Sequence, residues 1–204
     1  MVQDDDPLPL VLASASPRRA SLLSSAGFNF VVRSADVDER PLPGEDGVQQ
    51  ALRLARAKAD AVAKSMDSAA VVIGSDTLVL LDGRALGKPQ DLDEALHMLE
   101  ALNGREHEVV TAVAVLNNKR AEQFGGAVST KVAFCQWEPG VLRAYAATGE
   151  GLDKAGAYAI QDGGGALISH IEGSASNVIG LPLAETIGWI AAAGGPPPFG
   201  ANEQ

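Results

Sequence analysis

The sequence predicts an α/β fold built on a mixed sheet, and three observations carry that expectation. Strand-like and helix-like segments interleave along the chain rather than segregating. A hydrophobic fraction of 46% with 21% charged residues is the composition of an ordinary globular domain. A length of 204 residues suits one large domain or two intimate lobes.

Leu8 to Ala13 is a short apolar run ending in Ser-Ala-Ser-Pro, a buried strand followed by a helix start. Pro17 suits the first helical position because the amide hydrogen it lacks would be unpaired there. Arg18 to Ala26 makes a short helix stopped by Gly27, and Phe28 to Ser34 alternates as a second strand. Asp36 to Gly47, rich in acid, Pro and Gly, reads as loop. Ala51, Leu52, Ala55, Ala59 and Val62 form a helical stripe within Val48 to Ser65. Ala70 to Gly74 and Leu78 to Leu81 are strand-like, with Asp82-Gly83 a hairpin turn. Asp91 to Leu102 is an amphipathic helix capped by Asp91 and ended by Asn103-Gly104. Val109 to Leu116 and Ala127 to Phe134 are long strands joined around Asn117-Asn118. Helix, strand and helix follow at Glu138 to Ala147, Ala166 to Ile171 and Leu183 to Ala193. The segment from Gly194 lacks periodicity and is expected to fray.

Lys+Arg number 16 against 26 Asp+Glu, a net charge of −10. That balance argues against nucleic-acid and anionic-membrane partners, which want a basic face. A small polyanion needs only a local basic pocket. The lone Cys135 excludes an internal disulfide and reads as a small core hydrophobe beside Phe134. Asp4-Asp5-Asp6 stands where a signal peptide would be basic, and no apolar run approaches the ~18–20 residues of a membrane span. A cytoplasmic protein is expected.

The opening strand–loop–helix is the first candidate site. The small residues Ser14, Ala15 and Ser16 let backbone approach a ligand, and the helix start favours an anion. Arg18 and Arg19 add fixed charge with forked geometry for phosphate oxygens. A plain serine cap with two solvated arginines is the alternative. Lys58, Lys88 and Lys154 lie in three unlike settings. Gly83 to Pro89 fails the Walker A spacing, which disfavours a P-loop enzyme. Asp76 ends the apolar run Val71 to Ser75, at an expected strand terminus, where ligands collect in open α/β sheets. Glu39 sits in a loop after a strand. Asp76 and Glu39 together suit a divalent metal, which prefers carboxylate oxygens. His97, His107 and His170 lack metal-ligand spacing, and no nucleophile elbow exists. Asp162-Gly-Gly-Gly reads as a mobile loop or as close backbone approach to a ligand.

Seven segments then match a known pattern in order: Ser14-Ala-Ser-Pro-Arg-Arg, Val37-Asp-Glu-Arg, Leu54-Ala-Arg-Ala-Lys-Ala, Ile73-Gly-Ser-Asp-Thr, Gly87-Lys-Pro, Leu152-Asp-Lys-Ala-Gly-Ala-Tyr-Ala-Ile-Gln and Asn177-Val-Ile-Gly-Leu-Pro-Leu. They resemble the Maf family of nucleoside triphosphate pyrophosphatases. The resemblance implies a long, twisted mixed sheet with flanking helices and two lobes around a cleft, similar to the inosine triphosphate pyrophosphatases. It implies one domain over residues 8–194, with 1–7 and 195–204 as flexible tails. The implied reaction is metal-dependent cleavage between the α and β phosphates, with Mg or Mn as the cation.

By the same resemblance Asp76 is the proton acceptor; the reading of the two acids as a pair makes Glu39 catalytic beside it, with Glu39 and Asp76 holding the metal. The resemblance puts Arg18, Thr77 and Gln161 on specificity positions and matches Glu39, Lys58 and Lys88 to other pocket residues, and the anion-binding reading of the opening loop adds Ser14, Ser16 and Arg19 to the substrate pocket. Ser16-Pro-Arg-Arg, Asp76-Thr and Ala159-Ile-Gln look like the branch acting on dTTP and UTP. The 7-methyl-GTP branch and a non-catalytic nucleotide-sensing regulator of cell division are the rivals. The expected partner is a small-molecule nucleoside triphosphate, with a homodimer left open.

Overall fold

The computed structural model describes residues 7–201. Its elements, in chain order, are β1 (Leu10–Leu12), α1 (Pro17–Ser25), β2 (Phe30–Val32), α2 (Gly47–Lys64), β3 (Val71–Leu81), β4 (Arg84–Leu86), α3 (Leu92–Leu102), β5 (Glu106–Asn117), β6 (Glu122–Phe134), α4 (Pro139–Ala147), β7 (Ile168–Glu172), α5 (Ala175–Ile179) and α6 (Leu183–Ala192). One seven-stranded sheet runs in the order β2-β1-β3-β5-β6-β7, with β4 pairing β3 separately. β1 is parallel to both β2 and β3, and every other pairing is antiparallel. The sheet is mixed, as the interleaving predicts.

Local chemistry places the ends. Asp46 accepts from the Gln49 amide while Gln49 returns a bond to the Asp46 amide, a capping box that starts α2. Asp91 accepts from the Glu94 amide and starts α3. Asp82 and Gly83, both at positive φ, turn β3 into β4. The alanine-rich stripe of α2 packs on one face of β1, β3 and β5, while α1 and α6 cover the other face. A third apolar cluster gathers α3, α4 and the far ends of β3, β5 and β6. The long strands therefore cross between two packed regions, with a cleft where the helical cover changes.

Four expectations change. β3 is one continuous strand, so Asp76 is not at a strand terminus; it pairs with Ala112 in mid-strand. Asp disfavours strands, but ten consecutive residue pairs with β5 override that local preference. α5 has no counterpart in the sequence reading, because five residues are too few to show a helical stripe. Cys135 is half-buried rather than core. The described part of the C-terminal segment is docked by its backbone: Leu8 N donates to Gly194 O at 3.0 Å, Gly195 N to Ile190 O at 2.9 Å and Phe199 N to Ala26 O at 3.0 Å. The expectations for residues 1–6 and 202–204 lie outside the described residues.

The sheet leaves one gap along β3. On the edge of β3 opposite β5, β1 pairs with residues 71–73 and β4 with residues 79–81. Between them, residues 74–78 have no strand partner on that side. Asp76 and Thr77 sit in this gap.

Candidate active site

Because neighbouring strand residues point to opposite faces, Asp76 and Thr77 meet different elements. Asp76 faces α2. Gly74, two residues earlier on that face, allows the close approach: a Cβ there would collide with Ala55 O and lie 2.7 Å from Ala59 N. With the helix this near, Lys58 Nζ donates to Asp76 Oδ1 at 2.6 Å and pairs with Glu39 Oε1 at 2.6 Å. Lys58 and Asp76 are largely buried, whereas the Glu39 side chain remains 55% exposed. Burial raises the Asp76 pKa above the ordinary carboxylate value, and it outweighs the opposing pull of Lys58 and Arg19. Burial also pushes Glu39 upward, but Lys58, Lys88 and Arg19 prevail and its pKa is lowered.

Thr77 faces α1 and the turn after α5. Arg19 donates Nε to Gly180 O at 2.9 Å, Nη1 to Ser14 Oγ at 3.1 Å and Nη2 to Thr77 Oγ1 at 3.1 Å. All three acceptors are neutral, and Arg19 has no carboxylate in ion-pair range among the described residues. Each terminal nitrogen keeps a second N–H. Ser14 also accepts from the Ser16 amide at 3.2 Å. The Ser16 side chain makes no capping bond, Pro17 has no amide hydrogen and the Ala20 amide donates to Ser16 O, which leaves the Arg18 and Arg19 amides at the start of the nine-residue α1 open.

The opposite wall comes from two loops of the α3–α4 region. Gly156 N donates to Gly87 O at 3.1 Å, tying the Lys88 loop to the segment that follows Asp153. Lys88 is exposed and makes no ion pair among the described residues. Arg18 reaches across from α1 to Asp153 at 3.4 Å, and Lys154 pairs with the same carboxylate.

The Gln161 loop is held from behind. The Glu150 carboxylate accepts from Tyr145 OH at 2.8 Å, Gly164 N at 2.9 Å and Gly163 N at 3.0 Å. Tyr145 OH in turn accepts from Ala159 N at 3.3 Å. Burial disfavours the Glu150 charge, but these donors win and its pKa is lowered. Asp162-Gly-Gly-Gly, open to reading as a mobile loop or as close backbone approach to a ligand, leads into a short 3₁₀ turn, Gly163–Leu167. A Cβ at Gly164 would lie 2.5 Å from Tyr145 OH, so the glycine serves packing against that tyrosine.

All ten residues singled out from sequence, Ser14, Ser16, Arg18, Arg19, Glu39, Lys58, Asp76, Thr77, Lys88 and Gln161, line one cavity of about 780 Å³. Asp153 and Lys154 line it too; both fall in the Leu152-Asp-Lys-Ala-Gly segment that matched the family pattern, although neither was assigned to the site. Thr111, Asn177 and Gly180 stand behind Arg19. The segment Asn177-Val-Ile-Gly was visible as a motif, but its task became visible only with the fold. No group of three or more His, Cys, Asp or Glu with metal-binding geometry occurs among the described residues. Glu39 and Asp76 nevertheless converge on one cation, and each has a second carboxylate oxygen. That donor set suits a hard divalent ion that takes its remaining oxygens from phosphates and water. No helix among the described residues is long and apolar enough to cross a membrane.

A Maf-like protein family model matches residues 9–193. A protein named dTTP/UTP pyrophosphatase from Anaeromyxobacter dehalogenans (strain 2CP-1 / ATCC BAA-258) is 50% identical over 192 residues, 93% of this chain and 96% of that one. Another of that name from Myxococcus xanthus (strain DK1622) is 49% identical over 193 residues, covering 95% and 96% of the two chains. Among solved structures, a HAM1 protein from Coxiella burnetii aligns at 17% identity and a TM-score of 0.46, over 64% of this chain and 74% of that one.

Proposed function

This chain belongs to the Maf family, and we propose that it is a nucleoside triphosphate pyrophosphatase acting on dTTP and UTP with a divalent metal. The observation that carries the reading is Arg19: a cation held by three neutral acceptors, without a carboxylate of its own, on the same cavity as the buried Asp76. A cation fixed in that way feels Asp76 and Glu39 only at longer range and makes no direct ion pair among the described residues, and a polyphosphate supplies one. The names of relatives at about half identity over nearly the whole chain support the substrate class.

The chemistry asked of the protein is small. Hydrolysis adds water across the α–β anhydride and gives the nucleoside monophosphate and pyrophosphate. Asp76 accepts the proton of the attacking water, and burial brings its basicity closer to that task. Lys58 keeps Asp76 oriented and offsets the nearby negative charge. Arg19, the open amides of α1 and Lys88 neutralise the phosphate chain and the charge that builds on the departing pyrophosphate. A divalent ion held by Glu39 and Asp76 would polarise a phosphoryl oxygen and lower the pKa of a bound water. Gln161, exposed and without a hydrogen bond among the described residues, is free to donate and accept at the edge of uracil or thymine.

The test is a panel of UTP, dTTP, CTP, ATP, GTP and 7-methyl-GTP with Mg²⁺ or Mn²⁺, resolved by product. UTP and dTTP should lead in kcat/KM and release pyrophosphate, with turnover abolished by chelator. A lead for 7-methyl-GTP overturns the base assignment. Release of orthophosphate alone overturns the reaction.

A further inference from the structure

Thr77 neighbours Asp76 and falls on a position the family resemblance links to base selectivity, yet its hydroxyl is already spent. Thr111 Oγ1 donates to the backbone oxygen of Asn177 at 2.9 Å, and a carbonyl can only accept. A threonine hydroxyl has one proton, so in the 3.0 Å contact between the two threonines Thr77 must be the donor. Arg19 Nη2 donates to the same Thr77 oxygen. The proton order is therefore Arg19 to Thr77 to Thr111 to the Asn177 carbonyl. Thr77 has no proton left for a base, and its remaining lone pair belongs to an oxygen that already accepts from a cation.

The surroundings enforce this arrangement. Gly180 adopts φ +124°, and a Cβ there would lie 3.4 Å from both Arg19 Nε and Thr77 Oγ1. The Gly180 carbonyl accepts from Arg19 and, at 3.1 Å, from Ser75 Oγ. Asn177 is anchored through Nδ2 to Val109 O at 2.9 Å and Thr130 Oγ1 at 3.0 Å. The chain of hydroxyls thus ends on a helix that two strands hold in place.

We propose that the Thr77 hydroxyl is a positioning group: with Thr111 it fixes the Arg19 fork for phosphate and makes no hydrogen bond to the base. The proposal rests on the reading of Arg19 as a phosphate ligand. Its probe is inorganic tripolyphosphate, which has no base. Binding of tripolyphosphate by calorimetry, and kcat/KM for UTP, dTTP, CTP and GTP, are compared for the parent, Thr77→Val, Thr77→Ser and Thr111→Val.

Thr77→Val should weaken tripolyphosphate binding by about 10-fold, the worth of one hydrogen bond to a charged group. It should lower kcat/KM for all four nucleotides by a common factor and leave their ratios unchanged. Thr77→Ser keeps the hydroxyl and should restore both. Thr111→Val should fall between, because Thr77 keeps its acceptor oxygen but loses the partner that sets its rotation. Thr77→Ala carries the same expectation if the valine variant does not fold. Unchanged tripolyphosphate affinity with altered nucleotide ratios would overturn the proposal. Failure of the parent enzyme on UTP and dTTP would instead overturn the pyrimidine reading and leave this test intact.

Discussion

Lys58 and Arg19 are cations on opposite faces of β3, meeting it at the neighbouring residues Asp76 and Thr77, and they are held in opposite ways. Lys58 is bridged by two carboxylates, Asp76 and Glu39, so its charge is compensated within the protein. Arg19 is tethered by a hydroxyl pair and a backbone carbonyl, all neutral. Tethering without neutralisation fixes geometry and leaves the charge for a ligand. Neutralisation by two acids instead tunes the acids: Lys58 opposes the burial that would otherwise lift Asp76 further. The first arrangement suits binding, and the second suits the management of a proton.

The largest effect should come from breaking the Lys58 side at its acid. Asp76→Asn should lower turnover by about 10²–10⁴-fold, the range for loss of a general base, with tripolyphosphate affinity retained. Steady-state rates and calorimetry on one preparation check both halves. Wild-type turnover in this variant would remove Asp76 from the chemistry.

Next in size is a contrast between the two cations. Arg19→Lys keeps the charge but loses the fork, and should cut kcat/KM by about 10–10²-fold through weaker phosphate binding. Lys58→Met should act on the pH profile instead. Burial already raises the Asp76 pKa, so activity falls as pH drops through that raised value. Removing Lys58 withdraws a lowering influence, and the acid limb of the rate profile should move to higher pH. Equal effects of both variants on affinity and on the profile would erase the distinction.

Glu150→Gln should act more weakly and on substrate choice. The amide keeps one acceptor for the donors Tyr145, Gly163 and Gly164 but loses the charge that orders them. KM for UTP should rise about 3–10-fold with kcat nearly unchanged, and the preference over CTP should shrink. A fall confined to kcat would place Glu150 with the reacting groups.

The smallest effect on activity belongs to the α3–α4 region. His107 is buried against Phe134 and Tyr158, shares a 2.8 Å hydrogen bond with the tyrosine hydroxyl, and has its pKa lowered by burial to about 4. Between about pH 4 and 6.5 the unfolded chain takes up a proton there that the folded chain does not, so stability should fall as pH drops through that window. His107→Gln should flatten that dependence in urea titrations from pH 4 to 7 and leave kcat at pH 8 unchanged.

Much of this was legible from residues alone. Alternation marked β2, a helical stripe marked α2, Asp91 and Gly83 marked ends, and Asp76 stood out as an acid inside the most apolar run. Those signals are local: they report which side chains must leave water and which backbone groups must be capped. The cleft was not local. Whether Asp76 ended a strand or sat within one depended on β5, and the open edge at residues 74–78 exists because β1 stops at Leu12, opposite Ile73, and antiparallel β4 ends at Leu86, opposite Val79. The partners of the two cations lie far away in the chain, 18 residues for Lys58 with Asp76, 58 for Arg19 with Thr77 and 161 for Arg19 with Gly180. The sequence by itself determined the elements and the kinds of charge available. Only the tertiary structure decided which charge was answered and which was left for a ligand, because that balance is set by distance and burial across the sheet.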